Sequence, residues 1–589
     1  MIEPRLYRAA FVPALFALVL AMFSLESRPR PLPQGLAADV LFDGDLAAAN
    51  ANRIAARAPD RRAGRPGDLA TAARVASSLA ARGFRVERQG FTSGGRRLVN
   101  VVGRRAGASR REVVVAAARD ASAVPDAGGS AADTAALLEL ARVFQGRPSR
   151  RTLVLASVDA SSLGELGAER LAERLGDPGL VEAVLVVSDL GAEQRRGSFI
   201  VPWSNGTARA GIGLQRTVAD SIRQEVDGPV GGTGAPGQLV RLAFPLGIGG
   251  QGVFLDHGYE SVRISGSGEL PAPGDGGRTA DPDRLGGLGR ATLRALTALD
   301  QSGRPAHGPG TYVTAVSQVI PGWVLVLLAG TLLLPALVTS IDAFARARRR
   351  DLEVGAWMGW LGVWLAPFLA ALAAGELLAL AGATPDPPAS PVPPSDNPLD
   401  LPALAVLLAV ALAATLAYLV ARALARRGAP LADPGDAGAA CALALVTAGA
   451  ALVLFVLNPY AALIAVPAAH LWLLATLLEP APSGRARALL VALGSLPAAG
   501  VVLYNLFVLH TDPLTGAWYL LLLVTGHSVD LVSALLGCVW LGAFCATIAV
   551  VRARRAPEPP ADEDRASLFG PGAYAGPGSL GGITSTLRR

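Results

Sequence analysis

The feature that most constrains this chain is a set of apolar segments, each long enough to cross a lipid bilayer as a helix. One lies at residues 9–25, and the others follow Pro305. Crossing a hydrocarbon core of about 30 Å takes roughly 20 apolar residues in a helix. The later segments lie near 320–342, 355–383, 401–421, 438–457, 460–478, 488–509 and 528–551. The sequence therefore predicts a polytopic membrane protein of about eight spans, the first of them an uncleaved anchor.

The arginines predict how these spans are oriented, because the chain has no lysine and cytoplasmic loops are enriched in basic residues. They cluster after the second, fourth, sixth and eighth spans, at 346–350, 422–427, 485–487 and 552–555. All four clusters are cytoplasmic if the N-terminus is cytoplasmic. The arginine-free loops 385–400, Asn458-Pro459 and 510–516 then lie outside, together with the residues between the first two spans.

The short apolar run 517–526 does not fit as a further span, because it would move the last arginines to the outer side. We interpret it as re-entrant or interfacial. The Arg- and Ala-rich, lysine-free composition suggests a bacterial plasma membrane, with both termini cytoplasmic. Since the arginines flank spans and do not line one groove, the predicted partner is membrane lipid and no nucleic acid.

Between the first two spans the sequence changes to alternating strand-like and helix-like segments. We predict helices over 67–83, 133–145 and 163–174, and strands over 98–102, 112–118, 152–158 and 183–189. Such alternation is typical of an α/β domain with a mostly parallel, helix-covered sheet. The predicted division is an anchor and Pro-rich linker (1–39), an extracytoplasmic α/β domain (40–303), a linker (304–319), a transmembrane α-helical bundle (320–551) and a disordered tail (552–589).

Five segments of the α/β domain carry a recognisable pattern. In chain order they read VVVAAARDAS, DAGGSAADTAALLELARVF, VDASSLGELGAERLA, VVSDLGAE and GGQGVFLDHGYESVRI. Their order and spacing resemble peptidase family M twenty-eight, the co-catalytic di-zinc aminopeptidases. The resemblance covers less than half of the chain, and it implies a sheet of zinc-aminopeptidase type.

The same resemblance implies where the metal ligands of that family would lie, and most of these positions differ here. Ala118 stands at the first histidine, and Gly129 replaces the aspartate that bridges the two zinc ions. Ser161 and Ser162 replace a pair of glutamates, of which the first is the general base. Gln251 matches the last histidine. The resemblance thus implies a dismantled zinc site, with no cofactor and no catalytic residue.

Two family aspartates are kept, Asp189 as a ligand position and Asp120 as the residue that orients the first histidine. A catalytic zinc needs about three N, O or S ligands, yet the domain has no cysteine and only His257 before its terminal linker. Carboxylates at strand ends often cap the next turn or helix, and Ser162 is placed to cap a helix in the same way. Asp120 and Asp189 are therefore either caps or parts of a relic cleft that binds a ligand.

Within the membrane segments, Glu376 and His470 are ionisable residues in otherwise apolar runs. Such residues mark a functional site or form a structural hydrogen bond between helices. The overall layout is similar to that of the GPI transamidase attachment subunit and of endoplasmic reticulum metallopeptidases.

The leading hypothesis is a non-catalytic protein whose domain binds or scaffolds a peptide, glycan or lipid-linked partner, or joins a membrane-protein complex. The alternatives are an active metallo-aminopeptidase with a divergent metal site, and a transporter or lipid-handling protein that uses Glu376 and His470.

Overall fold

The computed structural model describes residues 2–33, 41–193, 197–270, 277, 279–302, 305, 307–427, 436–477, 479 and 482–553. The tail that the sequence predicts to be disordered lies outside these residues from position 554 onward. At the other end, helices α1 (Pro4–Ala9) and α2 (Val12–Phe23) form the first candidate span. The short strand β1 (Glu26–Ser27) follows it.

The α/β domain is a seven-stranded sheet covered by helices on both faces. Its strands are β2 (Arg85–Ser93), β3 (Arg96–Arg105), β4 (Ser109–Ala118), β5 (Arg151–Val158), β6 (Val181–Ser188), β7 (Phe199–Val201) and β8 (Ser261–Ser265). Its helices are α3 (Gly44–Arg57), α4 (Pro66–Ala81), α5 (Ser130–Phe144), α6 (Leu166–Leu175), α7 (Ile212–Glu225), α8 (Ala235–Ala243), α9 (Gly250–Asp256) and α10 (Pro282–Gln301). The strand order is β2-β3-β5-β4-β6-β8-β7.

The sheet is mixed, so the expectation of a mostly parallel sheet is only partly right. The four central strands β5, β4, β6 and β8 are parallel, whereas β2, β3 and β7 run antiparallel to their neighbours. Strands β2 and β3 are antiparallel because they form a hairpin. Its turn residues Gly94 and Gly95 both have positive φ (52° and 71°). Two such residues form the tight turn that antiparallel strands require.

Burial explains which segments became strands and which became helices. Residues 113–117 of β4 are buried on both faces, as expected for a central parallel strand. Helices α3, α4, α5, α7 and α10 pack their apolar sides on one face of the sheet, and α6 and α9 cover the other. The observed elements overlap every strand and helix predicted from the sequence for this domain.

A small sheet and a helical bundle follow the α/β domain. Strands β9 (Tyr312–Ala315) and β10 (Gln318–Pro321) pair with each other, and β10 also pairs with β1. The bundle contains α11 (Gly322–Arg349), α12 (Val354–Leu380), α13 (Leu401–Arg427), α14 (Ala437–Leu457), α15 (Pro459–Leu477), α16 (Gly484–Leu509), α17 (Pro513–Thr525) and α18 (Leu531–Ala553).

Within the described residues, eight helices are long and apolar enough to cross a membrane, the seven of the bundle other than α17 and the N-terminal one. These agree with the eight predicted spans. Helix α17 corresponds to the run 517–526 and has 13 residues, which is shorter than the roughly 20 that a span needs.

The α/β domain rests on one end of the bundle. The Asn458 side chain donates to the carbonyl oxygens of Leu242 (2.9 Å) and Ala243 (3.3 Å) at the end of α8. The hydroxyl of Tyr460 donates to Thr311 Oγ1 at 2.9 Å. Helix α17 packs against the apolar segment before α9 through a shared buried cluster. The three loops predicted to share a side with the domain therefore lie at the end of the bundle that meets it.

Candidate functional site

The positions that the family resemblance identifies lie at the carboxyl edge of the parallel strands. Ala118 is the last residue of β4, and Asp189 directly follows β6. Ser161 and Ser162 open a short 3₁₀ turn after β5, and Gly129 is the residue before α5. Sheets of this kind bind ligands at that edge. The structure thus brings residues that are scattered in sequence to one place.

Asp120 is fully engaged by the segment that follows β5. Its carboxylate accepts hydrogen bonds from the backbone N–H groups of Ser161 and Ser162, both at 2.9 Å, and from Ser162 Oγ at 2.6 Å. It therefore caps the turn that follows β5. The expectation that Ser162 caps the next helix is wrong, because α6 begins at Leu166 and the Ser162 hydroxyl donates to Asp120.

An aspartate at Gly129, as the family has, would require the Asp126 side chain to move. A Cβ at this position would lie 2.2 Å from Asp126 Oδ1, closer than non-bonded atoms approach. Asp126 reaches this position because its carboxylate accepts a hydrogen bond from the N–H of Ser130 at 2.7 Å. Asp126 thus satisfies a free N–H in the first turn of α5 and occupies the space beside Gly129.

Gln251 is also committed to the fold. Its side chain is fully buried, and its amide nitrogen donates to the carbonyl oxygens of Trp203 (3.3 Å) and Ile248 (3.2 Å). Its amide thus joins the segment after β7 to the loop before α9. The Gln251 carbonyl oxygen is buried and has no hydrogen-bond partner among the residues that the structure describes.

Asp189, the retained ligand position, belongs to a pair of interacting carboxylates. It accepts a hydrogen bond from Ser267 Oγ at 2.5 Å. Asp133, on α5, accepts from the backbone N–H groups of Asp189 and Leu190, both at 3.0 Å. Asp133 therefore holds the turn after β6 in place, and it is the residue there that performs the capping role considered for Asp189.

Buried arginines supply positive charge to this edge of the sheet. Arg119 follows β4, has no exposed surface, and forms ion pairs with Asp68 (2.7 Å) and Asp159 (3.1 Å). Arg61 is equally buried and donates to the carbonyl oxygen of Asp126 at 3.1 Å. Removing one partner from such a buried network leaves an uncompensated charge, so these arginines are integral to the fold.

A third buried arginine, Arg263 on β8, lies at the other end of the site. Its guanidinium is attracted by the charges of Asp189, Glu165 and Glu269, although burial lowers its pKa. Glu165, between the turn after β5 and α6, approaches the start of α9, where its Oε2 would be 3.2 Å from a Cβ at Gly250. The site is therefore a continuous layer of acidic and arginine side chains.

Burial and mutual repulsion raise the pKa values of several of these carboxyl groups. Burial and the nearby Asp120 raise the pKa of Glu165 to about 7. Burial and Asp189 raise the pKa of Asp126 to about 6, and they raise that of Asp133 well above its usual range. Near neutral pH the carboxyl group of Glu165 is therefore partly protonated, and burial together with neighbouring carboxylates favours the protonated form of Asp133.

These residues do not fit the zinc pair that the fold family implies. Ala118 and Gly129 offer no donor atom, and both carboxylate oxygens of Asp120 accept hydrogen bonds from the turn after β5. Zinc prefers nitrogen, sulfur and carboxylate ligands, usually four in a tetrahedral arrangement. Over the described ranges no group of three or more His, Cys, Asp or Glu side chains is arranged to hold a metal ion.

His470 and Glu376, the two ionisable residues singled out in the candidate spans, lie in separate parts of the bundle. His470, on α15, interacts with the Tyr7 hydroxyl through Nδ1 (2.9 Å) and with the Leu332 carbonyl through Nε2 (2.7 Å). Both of its ring nitrogens are therefore taken by groups that join α1 and α11 to α15. Glu376 lies on α12, and within the described part of the chain its buried Oε1 has no hydrogen-bond partner.

The sequence did not reveal the buried arginines that interact with carboxylates at this edge of the sheet. Arg119 and Arg263 lie in or beside apolar strands, at VVVAAARD and ESVRI. Long charged side chains are almost never fully buried unless they are paired. An arginine in or beside a strand that is buried on both faces therefore indicated that an acidic partner lies nearby. Their partners were not visible, since Asp68 and Glu165 are distant in sequence.

Comparison with known proteins gives matches among solved structures, whereas no family model and no curated protein matches the chain. The chain is similar to a zinc aminopeptidase from Bacillus subtilis, with 13% identity and a TM-score of 0.37, covering 45% of this chain and 95% of that one. It is similar to a Zn-dependent exopeptidase from Parabacteroides distasonis, with 17% identity and a TM-score of 0.36, covering 44% and 98%.

A third match is a leucine aminopeptidase precursor from Bacteroides thetaiotaomicron, with 15% identity and a TM-score of 0.36, covering 46% of this chain and all of that one. These three structures are two aminopeptidases and an exopeptidase, and each is similar to less than half of this chain.

Proposed function

We propose that this chain is a membrane protein whose aminopeptidase-like domain binds or scaffolds a partner and does not hydrolyse peptides through a zinc pair. The partner classes are a peptide, a glycan or a lipid-linked molecule. One observation carries the proposal: the carboxylate of Asp120, beside the position of the lost histidine, is saturated by three hydrogen bonds from Ser161 and Ser162.

The other substituted positions support the same proposal. An aspartate at Gly129 would collide with Asp126, and the amide of Gln251 is bonded to the backbone. Restoring a zinc pair would therefore require several coordinated changes and not a single reversion. Metal-assisted hydrolysis needs ligands that hold the metal together with a base that activates water, and serines stand where the family has its glutamates.

The position of the domain supports a role at the membrane surface. Helix α8, the loop before α9 and the small sheet that follows α10 all rest on the bundle. The carboxyl edge of the sheet therefore lies close to α17 and to the loop between α12 and α13. A partner that is bound at this edge would be held next to the bilayer.

Zinc loading of the full-length protein in detergent tests the proposal. The protein is incubated with excess zinc, desalted, and divided between elemental analysis and an assay with aminoacyl p-nitroanilide substrates. We expect less than one zinc per chain and no hydrolysis above the detergent blank. About two zinc ions per chain together with hydrolysis, the result for a co-catalytic metal pair, would overturn the proposal.

The matched control is Asp189→Ala, which removes the one retained ligand position. If zinc binds only outside the site, the zinc content of Asp189→Ala equals that of the parent. That result is compatible with the proposal. Zinc and activity that are both lost in Asp189→Ala would show that the site still works as a peptidase.

A further inference from the structure

The loop that joins α12 to α13 is unusually rich in proline and reaches the carboxyl edge of the sheet. Residues 384–397 read TPDPPASPVPPSDN, with six prolines, and we call this segment the proline loop. Proline-rich segments favour the extended polyproline II conformation, which is already ordered before it binds. Such a segment loses little conformational entropy when it binds in a groove.

One part of the proline loop lies against the turn that follows β5. A Cβ built at Gly164 would stand 2.7 Å from the backbone nitrogen of Ala389 and 2.8 Å from that of Ser390. Gly164 has a φ of 82° and is buried. It directly follows the short turn that carries Ser161 and Ser162, so the loop touches the turn where the family has its catalytic glutamates.

A second part of the proline loop lies beside the segment that follows β4. The Asp396 side chain is within hydrogen-bonding reach of the Ser122 hydroxyl. It is also close enough to Asp120 for the two carboxylates to repel each other. Burial raises the pKa of Asp396 to about 6. Because Ser122 is two residues from Asp120, the loop contacts both segments that meet at the Asp120 carboxylate.

Helix α17 holds the proline loop from the opposite side. The Tyr519 hydroxyl donates to the carbonyl oxygen of Val392 at 2.8 Å, and the Trp518 indole donates to that of Asn397 at 3.2 Å. Val392 is buried, with 7% of its surface exposed. The loop is thus enclosed between an aromatic pair on the bundle side and the edge of the sheet.

From these contacts we infer that the cleft at the carboxyl edge is a binding site for proline-rich peptides, and that the proline loop is its resident ligand. An outside peptide of this class binds only when the loop leaves. The inference rests on the proposed function for the identity of the cleft, and it names the class of ligand. Tethering gives the loop an effective concentration near the millimolar range, so it competes strongly with free peptide.

The first test is a disulfide between the cleft and the loop in the full-length chain. The pair Ser122→Cys and Asp396→Cys is oxidised under mild conditions, and the linked tryptic peptides are identified by mass spectrometry. The control pair is Ser122→Cys with Asp400→Cys, which lies at the start of α13. We expect at least about five-fold more linkage in the first pair, because disulfides require Cα atoms within about 7 Å. Equal linkage in both pairs would overturn the inference.

The second test measures binding by a synthetic peptide of residues 385–397. The full-length chain is compared with a variant in which these residues are replaced by a Gly-Ser segment of equal length. We expect the variant to bind the peptide about ten-fold or more tightly than the intact chain, because the resident loop no longer competes. A peptide with every proline replaced by alanine is the control and should bind more weakly. Equal binding of the peptide to both chains, or none to either, would overturn the inference.

Zinc loading of the loop-replaced variant separates this inference from the proposed function. If that variant takes up zinc and hydrolyses peptides while the disulfide and peptide results hold, the proposed function fails and the loop is an inhibitory ligand of an enzyme. If it takes up no zinc but binds the peptide, both stand.

Discussion

Glu165 offers the sharpest quantitative prediction. Burial and the neighbouring Asp120 raise its pKa from the usual 4.5 to about 7, despite the opposing charge of Arg263. Between these values the folded protein holds a proton that the unfolded chain has released. The favourable contribution of the protonated group is therefore complete below pH 4.5 and is lost as the pH rises through 7.

The magnitude follows from the difference of about 2.5 in pKa, which corresponds to about 3.5 kcal/mol at about 1.4 kcal/mol for each pKa unit. Glu165→Gln removes the charge and keeps the size of the side chain. We expect it to stabilise the protein by up to about 3.5 kcal/mol at pH 8 and to have little effect at pH 4.5. A domain of this size gains about 2 to 4 °C in melting temperature for each kcal/mol, so the increase at pH 8 is up to about 7 to 14 °C.

The assay is thermal unfolding of the purified protein in detergent at both pH values, with variant and parent compared at each. Glu173→Gln is the matched control, because Glu173 lies on α6, the helix that follows Glu165, with about half of its side chain exposed, and its substitution should change stability by less than about 1 kcal/mol. A Glu165→Gln variant that is less stable than the parent at both pH values would refute the reasoning, since the charged carboxylate would then be stabilised by Arg263.

Three further substitutions have expected outcomes in the same unfolding assay. Arg119→Leu should cost about 3 to 5 kcal/mol, because it leaves buried carboxylates without their cation, and a loss under 1 kcal/mol would contradict this. Gly129→Asp restores a family residue but should lower stability by about 1 to 3 kcal/mol through the contact with Asp126; zinc binding by this variant would show that the site can still be rebuilt. Tyr7→Phe should cost about 1 kcal/mol by breaking the bond to His470, and an unchanged melting temperature would show that this bond contributes nothing.

The sequence predicts those features that depend on local pattern. Apolar length alone identified the eight candidate spans, and the alternation of apolar and punctuating residues placed the strand at 112–118 within β4. The sheet directions were harder to predict, because the choice between parallel and antiparallel pairing depends on connections that periodicity does not report.

The site could be located from the family resemblance but its interactions could not. The substituted positions do meet at one edge of the sheet, yet nothing in the motif shows that Asp120 binds the turn after β5. The ion pair between Arg119 and Asp68 joins residues far apart in sequence, and the proline loop reaches the cleft from another part of the chain. Such contacts follow from tertiary packing and not from local propensity.

The small sheet beneath the α/β domain determines how that domain can move. Strand β1 leaves the first span and pairs with β10, which enters the second, with Glu26 opposite Val319 and Ser27 opposite Gln318. The domain is thus an insertion whose two connections are joined at one point, so it cannot swivel on a single linker. To tilt away from the bundle, the domain must also separate the two-residue strand β1 from β10. A force that separates the first two spans would therefore act on the β1–β10 pairing before it changed the cleft.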